Sequence, residues 1–247
     1  MNRRSKTALI IGATSDIGRS LARALAREGY GLQLAARNSA WLEEEACDLR
    51  VRGEGPLSLH RCDVLEAGCG VSLIDGLDTL PDVAVCVVGL LGEQDQAETD
   101  PVAAQLIMRT NFEGPALLMG SLARRFEERG HGVLVGISSV AGDRGRRSNY
   151  VYGSAKAAFT AFLSGLRNRL WASGVRVLTV KPGYVRTRMT EGMDLPRLLV
   201  ATPEEIAEGV LRAISRRRDV IYIRPIWNLV MLVVRAIPEG IFKRLKL

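Results

Sequence analysis

The stretch Thr7-Ala8-Leu9-Ile10-Ile11-Gly12-Ala13-Thr14-Ser15-Asp16-Ile17-Gly18 decides how the rest of the chain is read. It opens with a short apolar run, as expected of a buried strand, and the run stops at glycine. Beyond it, Ile17, Leu21, Ala24 and Leu25 recur at helical spacing over Ile17 to Glu28, and Gly29 ends the pattern. A glycine-bounded turn between strand and helix presents backbone N–H groups and the positive end of the helix dipole to an anion. Gly12 permits the tight turn, and Gly18 lets the helix lie close to the sheet. Asp16 is the unusual member, because a glycine there would allow the closest backbone approach and a carboxylate repels a pyrophosphate. Aspartate is favoured at a helix start, so the expectation is a side chain turned away from the phosphate site.

The same alternation continues outward. Leu32 to Ala36, a weaker Leu57 to Arg61, Val83 to Val88, Val133 to Ile137, Val175 to Val180 and Val220 to Ile223 read as strands. Val83 to Val88 is a continuous β-branched apolar run, the signature of a strand buried on both faces. Helical patterns cover Trp41 to about Arg52, Ala103 to Arg129 as one long helix despite Gly114 and Pro115, and Val151 to Ser173. The last regular helix is announced by Thr202 as cap, Pro203 at the first helical position and Glu205 completing a capping box. Repeated βα units predict an α/β fold: a single Rossmann-type, doubly wound parallel sheet of about seven strands with helices on both faces. No linker or repeat interrupts residues 1–225, and residues 226–247 form an apolar-basic extension.

Tyr152-Gly153-Ser154-Ala155-Lys156 places a phenol and an ammonium one helical turn apart. A nearby cation is expected to lower the phenol from its free value near about 10 toward neutrality, making it a proton donor or acceptor for a carbonyl. Alone, this spacing is common on helices. Support comes from Ser139, which follows Ile137-Ser138 at the carboxyl end of a buried strand, the edge where open α/β sheets bind ligands. Ser138 and Tyr150 lack such a spacing partner and read as structural. The second strand ends Ala35-Ala36-Arg37-Asn38, with no acidic residue to bind a ribose 2′-hydroxyl and with Arg37 as a cation for a 2′-phosphate. NADP(H) is therefore the favoured cofactor, with NAD(H) the alternative.

With these residues in order, the chain resembles the short-chain dehydrogenase/reductase family in its compact single-domain branch, over its whole length. The resemblance is carried by the Gly12 to Gly18 turn, Asp63-Val64, Asn111, Ser139, Tyr152, Lys156 and Pro182-Gly183-Tyr184-Val185-Arg186-Thr187. It implies catalysis by Asn111, Ser139, Tyr152 and Lys156, with Asn111 holding a water through its backbone and Lys156 also binding the nicotinamide ribose. It further implies cofactor contacts from Gly12, Thr14, Ser15, Asp16, Ile17, Arg37, Asp63, Val64, Gly89, Tyr152, Lys156, Pro182, Gly183, Val185 and Thr187. Homodimers or homotetramers formed through the long helices are likewise implied. The chain departs from the family pattern at Asp16, which replaces the middle glycine. It departs again at Cys86-Val87-Val88-Gly89, where the family carries Asn-Asn-Ala-Gly.

Arg144, Arg146 and Arg147 lie between Ser139 and Tyr152 and read either as an anionic head-group site or as a solvated basic loop. The run Ile226 to Val234 is almost wholly apolar, and the chain ends Lys243-Arg244-Leu245-Lys246-Leu247. This tail suits an interfacial anchor on anionic lipid, a cap on the substrate cleft, or packing between subunits. The arginine loop, Pro182 to Met189 and the tail are together similar to reductases of decaprenylphosphoryl 2-keto-pentoses. A polyprenyl-phosphoryl ketosugar is one expected substrate. A 3-ketoacyl group or small ketone, or a nucleotide-sensing module without chemistry, are the alternatives.

Composition narrows the field. The net charge of +7 favours anionic partners, yet no Lys/Arg block is interleaved with aromatics, so nucleic acid is not expected. Cys47, Cys62, Cys69 and Cys86 show no paired metal-ligand spacing and the chain has 2 histidines, so no metal site is expected. The apolar run after the basic N-terminus is too short for a secretory signal, and no stretch reaches the roughly 20 residues needed to span a bilayer. The expected location is the cytoplasm, or the inner face of the membrane if the tail binds lipid.

Overall fold

Apolar runs supply the strands of one parallel sheet in the computed structural model, which describes residues 6–52 and 55–245. Met1 to Ser5 and the tail residues Lys246 and Leu247 lie outside the described residues. In chain order the first strands are β1 (Thr7–Ile11), β2 (Gly31–Ala36), β3 (Leu57–Arg61) and β4 (Val83–Cys86). They are followed by β5 (Gly132–Ile137), β6 (Val175–Pro182), β7 (Tyr184–Val185), β8 (Val200–Ala201) and β9 (Val220–Ile223). The main sheet has 7 strands in the order β3-β2-β1-β4-β5-β6-β9, and β7 pairs with β8 separately. The order reverses between β1 and β4, which opens a crevice beyond their carboxyl ends where such sheets bind ligands.

Alternation along each strand feeds two cores. β1 sends Ala8 and Ile10 to one face and Leu9 and Ile11 to the other. On the first face lie α1 (Asp16–Arg27), α2 (Glu43–Arg52) and α8 (Pro203–Ser215), burying Leu21, Leu25, Leu49, Ile206 and Val210. On the second lie α3 (Cys69–Asp75), α6 (Gly114–Arg129) and α7 (Tyr150–Leu170), burying Leu73, Leu118, Met119, Phe126, Phe159 and Leu163. Each fully buried side chain of this size contributes about 1.5–3 kcal/mol. The predicted capping box holds: the Thr202 hydroxyl accepts from the Glu205 N–H at 3.3 Å, and Glu205 accepts from the Thr202 N–H at 2.7 Å.

Several local expectations are revised. The stretch read as one helix from Ala103 starts at Pro101, after an Asp100 cap, and comprises α5 (Pro101–Met108), a π-turn at Arg109–Glu113 and α6. Pro115 has no N–H to give to the Asn111 carbonyl four residues back, and the helix widens by one residue there. Two short helices, α3 and α4 (Gln94–Thr99), have too few turns to show an apolar period. The helix capped by Thr202 is not the last, because the apolar tail folds as α9 (Ile226–Ala236) and α10 (Glu239–Phe242).

Candidate active site

The turn after β1 is held by its own neighbours. Gly12 stands at φ +90°, in the left-handed region that disfavours a side chain. A Cβ on Gly18 would lie 2.5 Å from the Gly12 carbonyl, so α1 packs against the turn only because that atom is missing. Ser15 caps α1, accepting from the Gly18 N–H at 3.0 Å and donating to the Gly12 carbonyl at 2.8 Å. The Asp16 carboxylate accepts from the Arg188 N–H at 2.9 Å and pairs with its guanidinium at 3.4 Å. Arg188 also donates to the Thr14 carbonyl at 2.7 Å. Asp16 is thus neutralised and tied to the loop following β7.

The loop after β5 reaches the start of α7 through close backbone contact. A Cβ on Gly142 would lie 2.7 Å from the Ala157 nitrogen, and one on Gly153 would lie 2.9 Å from the Ala141 carbonyl. This approach sets Ser139 beside Tyr152 and Lys156. The Ser139 hydroxyl accepts from the Ala141 N–H at 3.1 Å, and Ser139 and Tyr152 line the same cleft. The buried Lys156 ammonium donates to the Ile137 carbonyl at 3.3 Å and the Val88 carbonyl at 3.4 Å, and lies 5.8 Å from the Tyr152 ring centre. Ser138, read as structural, donates to the Lys156 carbonyl at 3.0 Å and bonds Thr160. Asn111 is fully buried in the π-turn. Its amide donates to the Leu90 carbonyl at 2.6 Å and accepts from the Leu90 N–H at 3.2 Å, pinning the chain just past Gly89.

The electrostatics differ from the sequence expectation. Burial pushes the Tyr152 phenol up to about 12, opposed by the Ser139 hydroxyl. Burial lowers Lys156 to about 8. Desolvation is the largest cause of both shifts and disfavours the charged form of each group. A phenol that keeps its proton is the form a carbonyl reduction needs at neutral pH.

A cleft of about 1080 Å³ joins these parts. It is lined by Ser15, Asp16, Ile17, Gly89, Ser139, Tyr152, Lys156, Pro182, Gly183, Val185 and Thr187, and by Arg146. Gly12 and Thr14 form the turn behind it, and Asn111 supports it from below. Arg37 is exposed just past β2, and Asp63 and Val64 follow β3, further along the same sheet edge. Asp63 accepts from the Leu65 N–H at 3.0 Å, shaping that turn.

The arginines of the loop part company. Arg144 donates to the carbonyls of Val234 at 2.7 Å and Ile237 at 2.6 Å, pairs with Glu239 at 2.9 Å, and lies 3.7 Å from the Phe242 ring centre. It holds the end of α9, not the cleft. Arg147 is exposed and does not line the cleft. Arg146 does line it, with only long contacts from Nη2 to the Val140 carbonyl at 3.5 Å and Met231 Sδ at 3.8 Å, and with Nε buried and unpaired among the described residues. The sequence reading offered the tail as a cap on the cleft without singling out Trp227, and it missed the network beneath the loop. Trp227 on α9 closes the cleft, donating to the Leu199 carbonyl at 3.0 Å and meeting Tyr184 edge-on at 5.5 Å. Beneath the loop, the Asp143 carboxylate accepts from Lys181 and from the Tyr222 hydroxyl at 2.7 Å, a network with no spacing signal in the chain.

The short chain dehydrogenase family model matches residues 6–196. The chain is 38% identical over 240 residues to an uncharacterized oxidoreductase of Mycobacterium tuberculosis, covering 96% of each. It is 34% identical over 246 residues to one of Streptomyces coelicolor, covering 97% of this chain and 96% of the relative. The crystal structure of an actinorhodin polyketide ketoreductase variant with NADPH superposes with a TM-score of 0.78 at 25% identity, covering 89% of this chain and 95% of that one. The chain belongs to the short-chain dehydrogenase family. It is an NAD(P)-dependent oxidoreductase.

Proposed function

We propose that the chain is an NADP(H)-dependent reductase of a carbonyl substrate bearing an anionic group, with Tyr152 as proton donor. The observation that carries this reading is the convergence of Ser139, Tyr152 and Lys156 on the cleft into which the start of α1 and the Pro182–Thr187 loop also open. The residues fit a dinucleotide. Asp16 is drawn to Arg188 and leaves the turn open to an anion, and a Cβ on Gly89 would lie 3.2 Å from Asn111 Oδ1 and 3.4 Å from Lys156 Nζ. Gly12, Thr14, Ser15, Asp16 and Ile17 would hold the pyrophosphate, Arg37 the 2′-phosphate, and Asp63 with Val64 the adenine. Gly89, Pro182, Gly183, Val185 and Thr187 would hold the nicotinamide end, and Tyr152 and Lys156 its ribose.

When bound, the dinucleotide supplies hydride to the carbonyl carbon. Tyr152 gives its hydroxyl proton to the carbonyl oxygen, and Ser139 orients that oxygen by a second hydrogen bond. Lys156, charged below about pH 8, returns a proton toward the phenol, with the Asn111 segment as its route to solvent. Arg146 binds the anionic group of the substrate, and Leu90, Leu91, Leu195 and Trp227 take its apolar part. A polyprenyl-phosphoryl 2-ketosugar joins these features in one molecule. The same reading treats residues 1–225 as the Rossmann domain and 226–247 as an extension serving the site. It assembles the chain as a homodimer or homotetramer through α6 and α7, where Leu117 on α6 and Trp171 just past the end of α7 are exposed.

Oxidation of NADPH and NADH against polyprenyl-phosphoryl 2-ketosugars, 3-ketoacyl thioesters and uncharged ketones tests this. The expected result is NADPH-driven reduction of the phosphorylated ketosugar, with Arg146→Gln raising its KM about tenfold or more and leaving the KM of an uncharged ketone unchanged. Turnover confined to ketoacyl thioesters contradicts the ketosugar reading, and a preference for NADH contradicts the role of Arg37.

A further inference from the structure

The helix α9 is apolar on both sides, and only one side is covered. Trp227 and Met231 are buried against Val140, Tyr184, Leu199 and Tyr222. The opposite stripe, at helical spacing, leaves Leu229 63%, Leu232 66% and Val233 56% exposed. Ile241 on α10 and Leu198 are also exposed; Arg224 binds the Leu198 carbonyl at 2.9 Å, so Leu198 lies beside the start of α9. Exposed cations border this face at Arg235, Lys243 and Arg244, while its acidic residue, Glu239, is already paired with Arg144.

We infer that the outer face of α9 and α10 docks the protein on a bilayer surface containing anionic lipid. An apolar stripe flanked by cations matches an interfacial helix, which buries its apolar face at the head-group boundary and draws on anionic lipid for the rest. No described helix is long and apolar enough to cross a membrane, so the contact lies in the surface plane. Self-association through this face is disfavoured by its charge. A two-fold contact brings the same patch from both copies together, and so gathers Arg235, Lys243 and Arg244 of both copies into one interface. Trp227 lines the cleft on the inner side of the same helix, so docking sets the cleft one helix away from the lipid surface.

The test is co-sedimentation of the full chain with phosphatidylglycerol/phosphatidylcholine vesicles and with pure phosphatidylcholine vesicles, alongside light scattering without lipid. Binding to the anionic vesicles is expected. The triple variant Leu229→Glu/Leu232→Glu/Val233→Glu should lose it, and Arg235→Ser/Lys243→Ser/Arg244→Ser should weaken it about tenfold or more, an effect that salt mimics. Thermal melting and NADPH binding of the same variants report folding and the cofactor site, so failure here is separable from failure of the reductase reading. Absence of vesicle binding by the wild type, equal binding by the glutamate variant, or a wild-type oligomer that this variant dissociates would each overturn the inference.

Discussion

At one end of the cleft, Ser15 ties Gly12 to Gly18 by hydrogen bonds that span 3 residues each way. At the other end, Trp227 is held by a carbonyl 28 residues away, and Arg144 reaches 93 residues along the chain to Ile237. The first region is specified by adjacent residues whose sizes and φ values admit few alternatives. The second is captured by isolated anchors on an otherwise slippery apolar helix. A single substitution therefore acts differently at the two ends: locally in the turn, and across a whole segment at the tail.

Removing the main anchor of the tail has the largest expected effect. Trp227→Ala empties a buried indole site and is expected to cost about 3–5 kcal/mol. Denaturant unfolding checks the cost, and hydrogen exchange over residues 226–245 should rise more than over α1. Equal changes in both regions would show that the tail is no more dependent on its anchor than the turn.

Lys156→Met probes the catalytic end, where function and stability are opposed. The folded value of about 8 lies below the ordinary 10.5, so between those values the unfolded chain binds more protons than the folded one. Stability of the wild type therefore rises with pH across that window, by about 3 kcal/mol, and the charged lysine is a cost below about pH 8. Tyr152, with its phenol near 12, keeps its proton throughout. The methionine variant should be more stable at pH 7, lose that advantage by about pH 10.5, and turn over negligibly. Melting curves at pH 7 and 10 for both proteins measure it; a variant less stable at pH 7 would contradict the assigned burial cost.

What was legible in the sequence follows the same division. The strands of the main sheet, the Gly12 turn and the capping box of α8 are written in runs and spacings of neighbouring residues, and the structure forms them there, whereas the two-residue strands β7 and β8 are too short to show a pattern. The fates of Arg144, Arg146 and Arg147 were not legible, because identical residues in one loop are sorted only by what α9 and α10 bring against them. The π-turn at Asn111 was hidden because a proline in a helical pattern signals a break as readily as a bulge. The raised Tyr152 phenol escaped because spacing reveals a neighbouring charge but not the depth of burial. The tail allowed an anchor, a cap or a subunit contact in sequence. In the fold its inner face closes the cleft, while the outer face is free for the docking inferred above.

Reduction by this site requires one proton transfer from the Tyr152 phenol, which Tyr152→Phe removes. With NADPH affinity and turnover measured on the same preparation, the variant is predicted to keep binding NADPH, weakened by no more than about tenfold for the lost ribose contact, while carbonyl reduction at saturating NADPH falls about 10²–10⁴-fold. Reduction at the wild-type rate, with the cofactor bound, would contradict it.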